Sequence, residues 1–365
     1  MLKTLVLIVS FDVSRKGGIE SLTHQVHLSL SEQGIRSVVV SPRRLGRGQV
    51  GRVLGSLHFF LRLFYYLPRT YKILCMHSLM IRPLSLLGVF GFNKKPVYCW
   101  VHGIEVWGSA LKEVKRGLLK CRGIIASSTF TRDRMLEQLS DAPLTFVVNP
   151  TSDKAKILGD LDRSITSDSR FVLVTIARMD PNERYKGHDV IIDALTQIKM
   201  NGESIERFEW RVIGEGNDLI RLKQRVAGLK LDKIVTFTGM ISDQDLSSEL
   251  ALADLLIMPS RYEVRDDGCA CGEGFGIVYL EAAYAGVPSV ACIEGGQTDF
   301  IINDQTGWLV KQDPSEIAAL LSRLSKDREL VLKMGRSAKT RAVDEFGPFS
   351  FSKRLIDALE LNNSC

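Results

Sequence analysis

Several features are scarce in this chain of 365 residues. No uninterrupted apolar run reaches the roughly 18 residues of a membrane-spanning helix. The opening Met1-Leu-Lys-Thr-Leu-Val-Leu-Ile-Val-Ser10 has a short apolar part and no cleavage site, and reads as a first buried strand rather than a leader. The 7 cysteines are scattered at no metal-binding spacing. That pattern argues against a disulfide framework or zinc site and for buried thiols in a reducing compartment. The G-x-G-x-x-G fingerprint is absent, which weighs against a nicotinamide-dependent oxidoreductase. Most pointed is the lack of negative charge early on: no Asp or Glu stands between Glu32 and Glu105, while that span carries eleven Lys or Arg.

The formal charge of +6 therefore hides an asymmetry. Residues 1–165 hold 24 basic against 11 acidic side chains, a net +13, and the remainder 24 against 31, a net −7. A positive field of this kind concentrates anionic partners: membrane lipid, nucleic acid or a phosphorylated acceptor. Residues 49–67 follow the helical period, with Val50, Val53, Leu54, Leu57, Leu61 and Phe64 on one face. Phe59, Phe60, Leu63, Tyr65 and Tyr66 add more apolar surface than one core-facing stripe needs, and Arg43, Arg44, Arg47, Arg52, Arg62 and Arg69 surround it. Either this helix belongs to the core of an Arg-rich domain, or it lies in a membrane interface, a reading favoured by the missing carboxylates.

Strand and helix patterns alternate along the chain. A strand at 4–10, the turn Lys16-Gly-Gly-Ile-Glu20, a helix to about Gln33 and a strand from Arg36 form a βαβ unit. Gly17 and Gly18 then stand at the carboxyl end of the first strand, where open α/β sheets bind ligands. Strands follow near 72–76, 96–101, 123–126 and 144–148; the second of these four ends in His102-Gly-Ile-Glu-Val-Trp107. Ser127 is expected to cap the next helix. The polar stretch 149–169 reads as a linker. A second alternation starts at Phe171, and its first loop carries Arg178 and Lys186, two cations suited to a diphosphate. The strand before Gly214 and the one before Thr238-Gly-Met240-Ile241 continue the pattern. Asp243 and Asp245 spell D-x-D, but their place at a helix start makes capping the expected role rather than metal binding.

The chain converges on Glu273-Gly-Phe-Gly-Ile-Val-Tyr-Leu-Glu281, set as loop then helix between two strands. Gly274 and Gly276 let backbone approach a ligand, and a helix start attracts phosphate. A carboxylate beside that phosphate site and a second farther along can grip sugar hydroxyls. Taken alone, the two Glu better suit a loop charge and an exposed helix position.

The run Glu273-Gly-Phe-Gly-Ile-Val-Tyr-Leu-Glu-Ala-Ala-Tyr-Ala-Gly-Val-Pro-Ser-Val-Ala291 resembles the E-x7-E signature of retaining glycosyltransferases of family 4, with the two-domain GT-B fold. Arg178 to Asp180 with Lys186 to Asp189 is similar to that family's donor-phosphate pattern, and Glu294 to Val310 to its tail; the match is specific over 171–310 and looser over 1–150. The resemblance implies an α/β fold of two facing Rossmann-like domains with parallel sheets and the site in the cleft. The domains are then 1–165 on the acceptor side, 166–345 for the nucleotide-sugar, and 346–365 as a helix crossing back to the first. It implies that Glu273 holds the sugar hydroxyls, Glu281 the ribose, His102 the sugar's far edge, and Arg178 and Lys186 the leaving diphosphate. Donor contacts fall to Gly17, Gly18, Gly214, Met240, Ile241, Gly274, Phe275, Gly276 and Ile277. No metal and no cofactor is expected. The segment 261–272 departs from the family's shorter form and reads as a mobile loop, its Cys269 and Cys271 too few and too close for zinc.

The expected activity is transfer of a hexosyl group, with retention, from GDP-mannose or a UDP-sugar to a saccharide or lipid-linked saccharide in cell-surface polysaccharide synthesis. The expected setting is cytoplasmic, peripheral on an anionic membrane, with no nucleic acid partner. A catalytically silent membrane-associated module of the same fold is the alternative, and an oxidoreductase the next.

Overall fold

The computed structural model describes residues 5–13, 17–43, 48–90, 95–152, 154–159 and 170–361. The expected domain boundary at 165/166, and Arg44 and Arg47 of the basic run, lie outside them. The chain divides into two compact units. The first holds Met1–Asp153, Asp266–Ala270 and Phe346–Cys365, and the second Lys154–Arg265 and Cys271–Glu345.

Each unit is built on a six-stranded sheet whose paired strands run parallel. The first sheet comprises β1 (Leu5–Val9), β2 (Arg36–Val40), β3 (Lys72–Cys75), β4 (Val97–Val101), β5 (Gly123–Ala126) and β6 (Leu144–Val147), in spatial order β2-β1-β3-β4-β5-β6. The second comprises β7 (Phe171–Ile176), β8 (Phe208–Ile213), β9 (Val235–Gly239), β10 (Leu255–Met258), β13 (Ser289–Cys292) and β14 (Gly307–Val310), in order β14-β13-β10-β7-β8-β9. Short strands β11 (Glu263–Val264) and β12 (Ala270–Cys271) pair with one another, so the segment read as a loop carries a small hairpin. Central strands such as Val97–Val101 are buried along their whole length, because crossover helices cover both faces of a parallel sheet. In each sheet the first strand of the unit lies where the order reverses, with neighbours on either side. Ligands of open α/β sheets bind beyond the carboxyl ends of the strands at such a point. The loops after β1 and β7 are those that carry Gly17, Gly18 and Arg178.

Helices α1 (Gly18–Glu32), α2 (Gly48–Tyr66), α3 (Ile81–Leu86), α4 (Leu111–Leu118) and α5 (Thr129–Leu136) belong to the first unit. α6 (Ala155–Gly159), α7 (His188–Met200), α8 (Leu219–Gly228), α9 (Asp243–Leu252), α10 (Ile277–Tyr284), α11 (Pro314–Leu324) and α12 (Arg328–Phe346) follow. α6 corrects the reading of 149–169 as plain linker: Leu158 is fully buried and the helix packs against α10. Five residues are too few for a periodic signal, so the polar surroundings hid it.

The last helix, α13 (Pro348–Ala358), returns to the first unit and packs on α1, burying Phe351 and Leu355 in that core. Lys72 Nζ fastens the chain beyond it, donating to the carbonyls of Leu359 at 2.5 Å and Glu360 at 2.7 Å. Glu360 also accepts from Arg122 at 3.0 and 3.1 Å and from the Tyr98 hydroxyl. The expected α/β fold with a C-terminal helix crossing back to the first domain is thus observed.

α2 forms where expected, and of the two readings of its apolar stripe the core-facing one fails. Gly51, Gly55, Phe59 and Leu63 turn inward, whereas the stripe Val50, Val53, Leu54, Leu57, Leu61 and Phe64 is exposed, from 47 % at Leu54 to 73 % at Phe64. Two glycines on the inner side let the helix lie close to the unit with only two large side chains as anchors. Among the six described cysteines none is paired; five are buried, and burial lifts the thiol of Cys121 to about 12.

Candidate active site

The second unit gathers most of the expected residues beyond β7, β8, β9 and the start of α10. After β7 the chain bends through a short 3-10 segment at Pro181–Lys186, begun by Asp180, whose side chain accepts from the Asn182 amide at 2.9 Å. It ends at Gly187, whose φ of 89° favours glycine. This bend delivers Lys186 to Glu273. Lys186 Nζ lies 2.6 Å from Oε1 and 3.2 Å from Oε2, with both side chains at least 85 % buried. Burial pulls the lysine pKa down, but Glu273, Tyr185 and Glu183 more than offset it, and it ends above the usual lysine range. The cation is therefore permanent.

Glu273 sits three residues before the α10 N-cap, Gly276, whose φ is 83° and where a Cβ would stand 2.5 Å from the Tyr279 ring. Phe275 is buried beneath the turn, and Gly274 and Ile277 are half-buried. No side chain caps α10. The loop is braced from behind by Gly296, whose amide donates to the Glu273 carbonyl at 2.7 Å. A Cβ on Gly296 would lie 1.9 Å from the Gly274 carbonyl oxygen, so backbone meets backbone there. Sequence reasoning quoted this Gly only as part of a tail motif and missed its role.

Glu281, buried on α10, forms a second cluster. Lys154 Nζ lies 3.2 Å from a Glu281 oxygen and 3.2 Å from Asp243 at the start of α9. Lys154 was read as a linker residue, and a lone Lys in a polar stretch gave no signal. Ser242 and Asp245 form a reciprocal capping box, the expected use of this D-x-D. Gly214 donates its amide to the Gly239 carbonyl at 3.0 Å, and Glu215 accepts from the Met240 amide at 3.4 Å. Gly214, Met240 and half-buried Ile241 thus line one edge. Arg178, largely exposed, is paired with Glu183 rather than with Lys186 or Glu273. Asp189 is pinned by Arg221 and Arg225 and serves the packing of α7 on α8.

The first unit holds the remaining candidates. Gly17 is the N-cap of α1 and makes no side-chain cap, and a Cβ on Gly18 would meet nothing within 4 Å. His102 follows β4. Its Nε2 lies 2.7 Å from the Met76 carbonyl, an acceptor only, so Nε2 carries the proton. Nδ1 then accepts from the Ser127 hydroxyl at 3.2 Å, and that oxygen accepts from Trp100 Nε1 at 2.9 Å. The relay locks the ring in one tautomer. Ser127 is therefore not the expected cap; Ser128 caps α5, accepting from the Thr131 amide at 3.0 Å. The two Ser are adjacent, and only the direction of the strand end decides which faces the helix.

Solved structures share this architecture. Anabaena HepE in complex with UDP matches with a TM-score of 0.72 at 17% identity, over 98% of this chain and 99% of the other. Sucrose-phosphate synthase of Thermosynechococcus elongatus matches with 0.75 at 18%, over 98% of both. The fold is that of the GT-B glycosyltransferases, two α/β units each on a parallel sheet. A GDP-mannose-dependent alpha-(1-6)-phosphatidylinositol monomannoside mannosyltransferase of Mycolicibacterium smegmatis is 27% identical over 290 residues, 76% of this chain and 74% of the relative. The human alpha-1,3/1,6-mannosyltransferase ALG2 is 26% identical over 67% of this chain and 59% of its own length. Residues 161–341, just under half of the chain, match the family of glycosyl transferases group 1, and the chain is similar to its members. It is a glycosyltransferase.

Proposed function

We propose that the protein transfers a hexosyl group, with retention at the anomeric carbon, from GDP-mannose or a UDP-sugar to a saccharide or lipid-linked saccharide. The observation that carries this reading is the buried Lys186–Glu273 pair at the start of α10, with Glu281 eight residues on. The pair supplies a fixed cation for a diphosphate and a carboxylate for sugar hydroxyls within one hydrogen bond of each other. The bond between C1 of the sugar and the diphosphate oxygen breaks while the acceptor oxygen bonds to C1. The acceptor's hydroxyl proton leaves with the departing diphosphate, which guides that hydroxyl on the same face.

Lys186 and Arg178 stabilise the charge that grows on the leaving group, a preorganised contribution realised mostly in the transition state. Glu281 takes the ribose hydroxyls, and the 214 and 240–241 edge takes the base. No metal is assigned a role, because two cations and a helix start suffice for the diphosphate. GDP-mannose is placed first because mannosyltransferases figure among the relatives. The test is a panel of radiolabelled nucleotide-sugars offered with membrane extract, with and without EDTA. Transfer from one donor class that survives EDTA supports the reading. Nucleotide binding without any transfer would leave a silent module instead.

A further inference from the structure

We propose that Lys154, the first residue of the second unit, is a positioning residue for the nucleotide: it holds the Glu281 carboxylate where the ribose hydroxyls arrive. The inference rests on the ribose role of Glu281 given above and adds the side chain on which that role depends. Lys154 Nζ lies 3.2 Å from Glu281 Oε1 and 3.2 Å from Asp243 Oδ1. The Glu281 side chain is 8 % exposed and that of the lysine 23 %, so their ion pair stands largely out of water. A carboxylate buried that far needs a cation to stay ionised and in place. Burial acts to lower the lysine pKa, but Glu281 and then Asp243 outweigh it, and it ends above the usual lysine value.

The backbone that carries Lys154 is itself pinned. Its carbonyl accepts from the Leu158 amide at 2.9 Å, and Leu158 is fully buried. Lys339 Nζ donates to the Gly159 carbonyl at 2.7 Å and fastens the other end of α6. α6 in turn packs on α10, the helix that bears Glu281. On the far side of the ammonium, Asp243 opens α9 directly after Met240, Ile241 and the capping Ser242. One cation therefore joins the helix of the ribose carboxylate to the helix that follows the base edge. Lys154 does for Glu281 what Lys186 does for Glu273: each glutamate meets a lysine brought from another segment. With Lys154 in place the carboxylate is set before the nucleotide binds, and little ordering is left to be done on binding. Without it the carboxylates of Glu281 and Asp243 repel one another. Glu281 then turns away or takes up a proton, and a protonated carboxyl accepts fewer hydroxyls.

The test is the affinity of the full chain for UDP and GDP, each against its 2′,3′-dideoxy counterpart, by titration calorimetry. The dideoxy compound keeps base and diphosphate and lacks both hydroxyls, so the ratio of the two dissociation constants reads ribose recognition alone. A hydroxyl donating to a carboxylate contributes about ten- to a hundredfold in affinity, so the wild-type ratio should be at least about tenfold. Glu281→Gln should lower it to about threefold or less, and Lys154→Met should lower it at least about threefold. The double variant should match Glu281→Gln within about twofold, because both changes act through one carboxylate. An unchanged ratio in Lys154→Met, with both affinities falling alike, would make the lysine a pin of α6 only and overturn the proposal. Losses that multiply in the double variant would overturn it too. Should Lys154→Met bind neither compound, Lys154→Gln, which also removes the charge, is read by the same criteria. A wild-type ratio near one, or a full ratio in Glu281→Gln, would instead remove the ribose role of Glu281 and the inference with it.

Discussion

Replacing Glu273 by Gln removes one charge and almost no volume. Breaking one side of a buried ion pair typically costs about 3–5 kcal/mol, because the other charge stays behind without compensation. Here the pair is 10–15 % exposed and the amide oxygen still accepts from Lys186, so the cost falls somewhat below that range, about 2–3 kcal/mol. Lys186→Met should cost about the same. The double variant leaves neither charge, and should cost about 2–3 kcal/mol rather than the roughly 4–6 of independent sites. The coupling is read as the difference of urea midpoints across the four proteins. Function separates the partners further. Glu273→Gln should keep nucleoside-diphosphate binding, since Lys186 remains, while turnover falls about 10²–10³-fold. Lys186→Met should weaken that binding about 10–100-fold by loss of a charge-assisted bond. Additive stabilities within about 0.5 kcal/mol, or near-normal turnover in Glu273→Gln, would refute the assignment of this pair.

Gly296→Ala should lower turnover at least tenfold and destabilise by about 2 kcal/mol, because its Cβ meets the Gly274 carbonyl and the phosphate loop must shift; wild-type kinetics would show the loop is not braced there. Burial lowers the His188 pKa to about 4, against Asp189 acting to raise it. A depressed histidine pKa favours the neutral fold, so its stability is full above about 6.5 and fades as pH falls towards 4, by up to about 3 kcal/mol. His188→Leu should flatten that limb of the stability profile, measured by urea titration at stepped pH. Hydrogen bonds from Arg122 and Tyr98 hold Glu360 down to about 2. A depressed carboxylate contributes above about 4.5 and loses its effect as pH falls towards 2, so amide exchange in α13 should speed up over that window. Arg122→Ala should move the onset to higher pH, and an unchanged onset would detach Glu360 from the anchoring of α13.

The strands of both sheets were legible because fully buried parallel strands read as short apolar runs, and Phe171–Ile176 or Val97–Val101 admit little else. The glycine-bearing loop between Glu273 and Glu281 was legible too, since special backbone needs special residues. By itself the sequence determined the alternation, the charge asymmetry and the residue types of the site. It could not say that Lys186 and Glu273, 87 positions apart, are partners, because pairing at that range depends on how β7 and β10 lie side by side. Nor could it show Lys154 against Glu281, or Ser127 serving His102 instead of a helix. The periodicity of α2 fixed which residues share a face, but not which face turns inward. That was decided by tertiary packing: Gly51, Gly55, Phe59 and Leu63 are the side buried against the unit, and the side with more apolar surface is the one left outside.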